Sequence, residues 1–411
     1  MKQYVILGGG VASVGCIEGI RSVDRETPIV LICGERKPVY CRPLISYYLQ
    51  GKTDLERMKY RPDEFYTQNN CQLIYASAVG IDPARQTVLL DSGETVPYDA
   101  LCLATGSSPF VPPFEGLDTV AEANKFSFMT QEDAIALGQA VKEDSRVLIV
   151  GAGLIGLKCA EGLADRAGSI AVCDLAPRVL SSILDEPCAA LMQQQLEAHG
   201  IRFLLGDSAQ RFDGSVAYMK SGETVPFDIL VLAVGVRPNI SLFQKIGGKT
   251  DRGILVDTSM KTSIDHIYAA GDCAQGYDAS TGENRILAIL PNAYFQGNCA
   301  GINMAGGSQV LDNAIPMNAI GFFGLHALTA GSYDGELFEE KKDRSIKRLF
   351  VRDGRLVGFM LIGETDRAGI YTALVRNQTP LETLDFQALK KSPALAPFSV
   401  EYRRQTLGGV V

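Results

Sequence analysis

Four apolar residues, Tyr4-Val5-Ile6-Leu7, run into Gly8-Gly9-Gly10-Val11-Ala12-Ser13 and then into a mixed stretch reaching about Ser22. A short apolar run closed by glycine predicts a buried strand, and the stretch beyond it predicts a helix. A second apolar run, Pro28 to Cys33, predicts the next strand and stops just before Glu35. The same succession returns as Arg146–Val150, Gly151-Ala152-Gly153-Leu154-Ile155-Gly156, a helical stretch, Ser169–Cys173 and Asp174.

Downstream, the likeness between the two stretches becomes literal. Residues 92–109 read SGETVPYDALCLATGSSP and residues 221–238 read SGETVPFDILVLAVGVRP, identical at 12 of 18 positions with an offset of 129. In each copy Ser-Gly-Glu predicts a hairpin turn, and an apolar strand follows that ends in glycine. The chain therefore holds two versions of one nucleotide-binding unit. Gly8 and Gly151 allow the tight turn, while Gly10 and Gly153 let the backbone approach a pyrophosphate. The helices opening at Val11-Ala12 and Leu154-Ile155 supply free N–H groups and a positive dipole end. Glu35 and Asp174 each put a carboxylate where ribose hydroxyls can be accepted. Ser13 replaces the third glycine, which the second copy keeps as Gly156, and is small enough for the helix to pack on the strand. An acid at Asp174 favours NAD over NADP, with nearby Arg178 keeping NADP open.

The length of 411 residues predicts two or three domains, and 46% hydrophobic with 21% charged residues excludes disorder, collagen and coiled coil. Forty-two glycines call for many tight turns or close backbone approaches. A net charge of −8 argues against nucleic-acid binding. No run of 18 apolar residues predicts a membrane span, and the start of the chain does not read as a secretory signal. The ten cysteines (Cys16, Cys33, Cys41, Cys71, Cys102, Cys159, Cys173, Cys188, Cys273 and Cys299) form neither CxxC nor CxxxxC pairs. They read as free thiols of a reducing cytoplasm. His199, His266 and His326 lie too far apart in sequence to predict a zinc site.

The order of these motifs resembles the two-dinucleotide-domain flavoprotein reductases of the pyridine nucleotide–disulfide oxidoreductase superfamily. Ala104-Thr105-Gly106 is similar to the segment closing the first half of their flavin domain, and Gly235-Val236-Arg237-Pro238 to the equivalent end of their NAD domain. Ile267-Tyr268-Ala269-Ala270-Gly271-Asp272-Cys273 resembles the second FAD signature, whose aspartate accepts a ribityl hydroxyl; a helix N-cap role for Asp272 is compatible with that. Leu290-Pro291-Asn292-Ala293 resembles the start of a helix aimed at the flavin pyrimidine. The resemblance implies FAD contacts at Gly8, Gly10, Val11, Ala12, Ser13, Glu35, Arg42, Pro43, Val79, Ala104, Thr105, Gly106, Gly271, Asp272, Leu290 and Pro291. It implies NADH contacts at Gly151, Gly153, Leu154, Ile155, Gly156, Asp174 and Gly235.

Tyr40-Cys41-Arg42-Pro43-Leu44-Ile45-Ser46 resembles a segment of NADH:rubredoxin reductases and of the flavin portion of assimilatory nitrite reductases. There the position before Arg-Pro is not redox-active, so Cys41 reads as a bystander, with a catalytic thiol as the alternative. Arg42 reads as a fixed positive charge near the flavin ring or pyrophosphate, or as a surface arginine. Lys158 stands where many relatives carry glutamate close to the nicotinamide–flavin junction. It reads as a reversed charge there, as a partner for Glu161, or as a snorkelling surface lysine.

The expected architecture is α/β, with two Rossmann-like domains and a small C-terminal α+β domain. Residues 1–115 and 240–310 form the FAD domain, 116–239 the NAD domain and 311–411 the C-terminal domain. In the last, strands are expected near Ile315–Phe323 and Ile346–Val351, the latter joined by an Asp353-Gly354 turn to Arg355–Ile362, with a helix from Asp366 to Arg376. Phe322 and Phe323 read as core residues or as neighbours of the isoalloxazine. The resemblance implies hydride transfer from NADH to flavin N5, then electrons to an external acceptor such as rubredoxin or another iron–sulfur protein. Its C-terminal domain forms a dimer interface in some relatives, which makes a homodimer one expectation. The alternatives are a single-cysteine oxidase, peroxidase or disulfide reductase using Cys41, an electron-feeding subunit of a nitrite-reductase-like complex, and an NADH-sensing flavoprotein.

Overall fold

The computed structural model describes residues 2–406. Its first sheet is parallel and five-stranded, in the order Ile267–Ala269, Ala100–Leu103, Tyr4–Leu7, Ile29–Cys33, Cys71–Tyr75. The second sheet repeats this plan with Lys125–Phe126, Ile229–Leu232, Arg146–Val150, Ser169–Asp174 and Ile201–Leu205. Central strands covered on both faces need unbroken apolar runs, and Tyr4–Leu7 and Ile229–Leu232 are buried at every position. The fold is the α/β, doubly dinucleotide-binding architecture expected.

The duplication extends to individual hydrogen bonds. Gly8 N donates to Ile32 O at 2.8 Å and Gly151 N to Cys173 O at 2.7 Å. Both glycines have left-handed φ, +114° and +118°, and a Cβ on either would sit 2.1 Å from Ala104 O or 2.3 Å from Ala233 O. The aspartate of each repeat ties the start of its own sheet. Asp99 accepts from Gln3 N at 2.6 Å and Asp228 from Arg146 N at 2.9 Å. Two three-residue connectors, Ser107–Pro109 and Val236–Pro238, carry the chain out of the first unit and back, and pair antiparallel.

Glycine abundance has a second cause beyond turns. Helices Val11–Val23 and Leu290–Met304 pack backbone to backbone: a Cβ at Gly15 would meet Tyr294 O at 2.2 Å, and one at Gly301 would meet Cys16 O at 2.1 Å. Gly15 with Gly19 and Gly297 with Gly301 are spaced four apart, so each pair lies on one helix face. This close contact brings both helix N-termini to the same end of the first sheet.

The C-terminal part is a five-stranded antiparallel sheet in the order Met317–Phe322, Leu325–Gly331, Arg355–Ile362, Ser345–Arg352, Glu336–Lys342, with the helix Ala368–Arg376 against it. The Asp353-Gly354 hairpin forms as expected, with φ of +50° and +68° at the two residues. Strands Leu325–Gly331 and Glu336–Lys342 carry no clear apolar alternation in the sequence. The second is a charged edge strand, a composition that blocks edge-to-edge pairing. Phe322 is fully buried and shares a core cluster with Leu157 of the second unit and Met360 of the C-terminal sheet.

Candidate functional site

A cleft of about 460 Å³ opens at the end of the first sheet where the two helix N-termini meet. Gly8, Gly10, Val11, Ala12, Glu35, Arg42, Pro43, Ala104, Thr105, Gly106, Gly271, Asp272 and Leu290 line it. Neither helix carries a side-chain cap: Gly10 and Ile289 occupy the N-cap positions, so first-turn N–H groups remain free toward the cleft. A Cβ on Gly10 would meet nothing within 4 Å, which leaves room for a ligand against the backbone. Ser107 Oγ donates to Asp272 Oδ2 at 3.0 Å, and Gly271 N to Gln296 Oε1 at 2.8 Å, which hold the aspartate in place.

Three expected FAD contacts lie elsewhere. Ser13 is fully buried behind the loop, its hydroxyl donating to Gly10 O at 2.6 Å, and acts on the turn from behind. Pro291 takes the second position of its helix and is exposed outside the lining, because helix geometry turns successive side chains about 100° apart. Val79 is 46% exposed in the strand Ala78–Asp82, whose register slips between Ala78 and Gly80. It is the extra residue of a β-bulge, left unpaired and turned to solvent.

Glu35 already has protein partners on both oxygens. Tyr40 donates to Oε2 at 2.9 Å, and Arg42 forms an ion pair with Oε1. Each oxygen keeps a further lone pair for a ribose hydroxyl. Arg42 also donates to Met129 O at 3.1 Å, and Gln131 N donates to the Tyr40 hydroxyl at 3.0 Å. The arginine therefore sits beside the ribose-type carboxylate and bridges to the segment leading into the second unit. Tyr40, from the segment Tyr40–Ser46, lines the cleft too, as do Ser107, Met129 and Asn239, which were not expected as contacts.

In the second unit Gly153 caps the helix Leu154–Leu163, with Leu154 exposed at its first position. Gly156 lies beneath the loop, where a Cβ would come 2.0 Å from Gly151 O. The Asp174 carboxylate accepts from Ala152 N at 2.7 Å and Ala176 N at 2.8 Å, which fixes it at the mouth of the glycine loop. Arg178 is drawn away, donating to Leu184 O at 3.2 Å. Gly235 has φ +119° and open space above its Cα.

Lys158 does not point to a free site. Its ammonium is 2.7 Å from Glu161, donates to Gly321 O, and lies 4.6 Å from the Phe322 ring centre. Glu161 in turn accepts from Phe323 N at 2.9 Å. This pair fastens the second unit to the C-terminal sheet. Phe323 stacks on His199 at 4.0 Å. Neither phenylalanine lines the cleft.

All ten cysteines are free; nine are buried, and none lines the cleft. Cys41 is partly buried, its N–H bound to Met58 O at 2.8 Å, and burial pushes its thiol up from the ordinary value. Among the described residues no cluster of His, Cys, Asp or Glu could hold a metal ion, and no helix is long and apolar enough to cross a membrane.

Comparison with known proteins matches residues 2–297 to the family described as Pyridine nucleotide-disulphide oxidoreductase. The chain belongs to this family. A subunit epsilon of the NADH-dependent phenylglyoxylate dehydrogenase of Aromatoleum evansii is 32% identical over 93% of both chains. The nitrite reductase of Bacillus subtilis is 30% identical over 97% of this chain, which spans half of that protein. A rubredoxin-NAD(+) reductase of Alcanivorax borkumensis is 29% identical over 89% of this chain and 96% of its own. Among solved structures, the ferredoxin reductase of the Rhodopseudomonas palustris CYP199A2 system superposes with a TM-score of 0.87 at 26% identity, covering 96% of this chain and all of that one.

This pyridine nucleotide–disulphide oxidoreductase is thus an FAD- and NAD(P)H-dependent enzyme. Its residues fit both groups. The uncapped helix ends suit pyrophosphates, the open backbone at Gly10 admits one, and the acids at Glu35 and Asp174 suit riboses.

Proposed function

We propose that the chain takes electrons from NADH and delivers them to an external iron–sulfur protein, with no thiol of its own in the path. The placement of the cysteines carries this reading. A relay through Cys41 would need its sulfur at the cleft as a thiolate, yet it does not line the cleft and burial disfavours the thiolate. The names of the rubredoxin-NAD(+) reductase and the ferredoxin reductase support an iron–sulfur partner. The phenylglyoxylate dehydrogenase subunit, of similar length, supports the case in which that partner is a companion subunit. When bound, FAD supplies a centre that accepts a hydride and releases electrons singly.

The protein supplies position and charge. The N–H groups at Val11 and Ala12 would hold the FAD pyrophosphate, Glu35 the adenosine ribose, and Asp272, steadied by Ser107, a ribityl hydroxyl. The helix N-terminus at Leu290, which lines the cleft, would favour negative charge on a flavin held there. Asp174 would take the NADH ribose, and Arg178, the cation that kept NADP open, is engaged with Leu184 O. We further propose that the FAD domain spans 1–115 and 240–310, the NAD domain 116–239 and the C-terminal domain 311–411. The free thiols support a reducing cytoplasm as its setting.

Anaerobic mixing with NADH and NADPH, followed by oxidised rubredoxin, tests the reading. NADH is expected to bleach the flavin much faster than NADPH, rubredoxin to restore its colour, and Cys41→Ser to change neither step. Turnover lost in Cys41→Ser would install the thiol enzyme instead. A bleached flavin that no iron–sulfur protein reoxidises would favour the sensor.

A further inference from the structure

The chain passes between its two nucleotide units twice, and the connectors pair with each other. Ser108 lies opposite Arg237, positions separated by 129, which is the offset of the repeat. The ribbon therefore straddles a local twofold axis relating the two connectors. Phe110 N donates to Gly235 O and Asn239 N to Gly106 O, both at 2.9 Å, and these bonds too are related by the offset. Three pairs in a two-stranded ribbon make a weak joint on their own.

The side chains break the symmetry. Asn239 Nδ2 donates to Thr105 O at 2.9 Å, its Oδ1 accepts from Ser108 Oγ at 2.8 Å, and its carbonyl accepts from Thr105 Oγ1 at 2.7 Å. With its backbone N–H, one residue closes four hydrogen bonds onto residues 105–108. At the related end the equivalents of Asn239, Thr105 and Ser108 are Phe110, Val234 and Arg237, and there the Arg237 guanidinium covers the Phe110 ring at 4.5 Å. Asn239, Thr105 and Ser108 line the flavin cleft, whereas their equivalents Phe110, Val234 and Arg237 do not.

We propose that Asn239 is a positioning residue that sets the NADH unit over the flavin cleft by clamping the return connector to Thr105 and Ser108. The connectors are where the chain crosses between the two units, so an angular slip there displaces the glycine loop that would hold NADH. Hydride transfer tolerates little of this, since reacting atoms must lie about 3–3.5 Å apart and a 1 Å error costs about a hundredfold. The proposal rests on the two nucleotide sites and is independent of the acceptor.

The test uses FAD-loaded Asn239→Ala, Asn239→Asp and Ser108→Ala. It follows flavin bleaching across NADH concentrations, bleaching by dithionite, and amide hydrogen exchange. In Asn239→Ala the bleaching rate at saturating NADH is expected to fall about 10- to 100-fold, with NADH affinity and the dithionite rate nearly unchanged. Exchange should quicken across 105–110 and 235–239 while the two sheets keep their protection. Asn239→Asp keeps the Ser108 bond but sets an oxygen against Thr105 O, so it should fall at least as far. Ser108→Ala removes one exposed bond and should lose about threefold or less. An unchanged rate at saturating NADH, or equal slowing with dithionite, overturns the proposal. Should the Asn239 variants not hold FAD, unchanged connector exchange in Ser108→Ala overturns it as well. No acceptor is used, so failure of the iron–sulfur reading leaves every one of these readouts in force.

Discussion

Lys158 shows how an environment decides a residue's task. Its ammonium and the Glu161 carboxylate keep only 19% and 10% of their side-chain surface exposed, and both are tied to the C-terminal strand through Gly321 O and Phe323 N. Removing one member of such a pair leaves an uncompensated charge, so Lys158→Met is expected to cost about 3 kcal/mol. The double change with Glu161→Leu should recover most of it. Urea melts of the three variants check this, and a double variant no better than the single would refute the pairing. Asp24 offers a pH test. Its carboxylate accepts from Thr27 N, Thr27 Oγ1, Glu26 N and the Tyr4 hydroxyl, bonds that hold it well below the usual carboxylate range. With the folded value depressed, its contribution is full at neutral pH and drains away as pH falls below about 4. Asp24→Asn should therefore be less stable than the parent at pH 7, with the gap narrowing steadily as pH falls below about 4. Melts showing a gap independent of pH would contradict this.

Among elements, the helix pair Val11–Val23 and Leu290–Met304 matters most, because it aims two helix ends into one cleft. Gly301→Ala puts a Cβ 2.1 Å from Cys16 O, a clash that only a shift of the helices relieves. It is expected to cost about 1–3 kcal/mol and to lower FAD content, measured by absorbance of the purified protein. Full FAD occupancy and an unchanged melt would show that the helix contact is not needed at that spacing. The signal was present in the sequence as two glycine pairs four apart, but such pairs gain meaning only when two helices are known to touch. The glycine loops and acids of both units were legible because their chemistry is local in the chain. Asn239 was not, since its side-chain partner Thr105 lies 134 residues away.

Across the whole molecule, the two sheets share a plan and differ in what surrounds them. The second unit shares its core cluster with the C-terminal sheet, whereas the cluster around the first sheet includes Ala293 and Ala300 of the Leu290–Met304 helix. The sequence alone determined the duplication, the two glycine loops, the acids Glu35 and Asp174 that follow them, and the absence of CxxC and CxxxxC pairs. These depend on residue types at short spacing, where backbone geometry leaves few alternatives. Only the tertiary structure decided that Lys158 fastens two units, that Val79 turns outward on a bulge, that Cys41 lies off the cleft and that Asn239 clamps the connectors. Each of those depends on which groups packing brings together from distant parts of the chain, and on which of them are left near water.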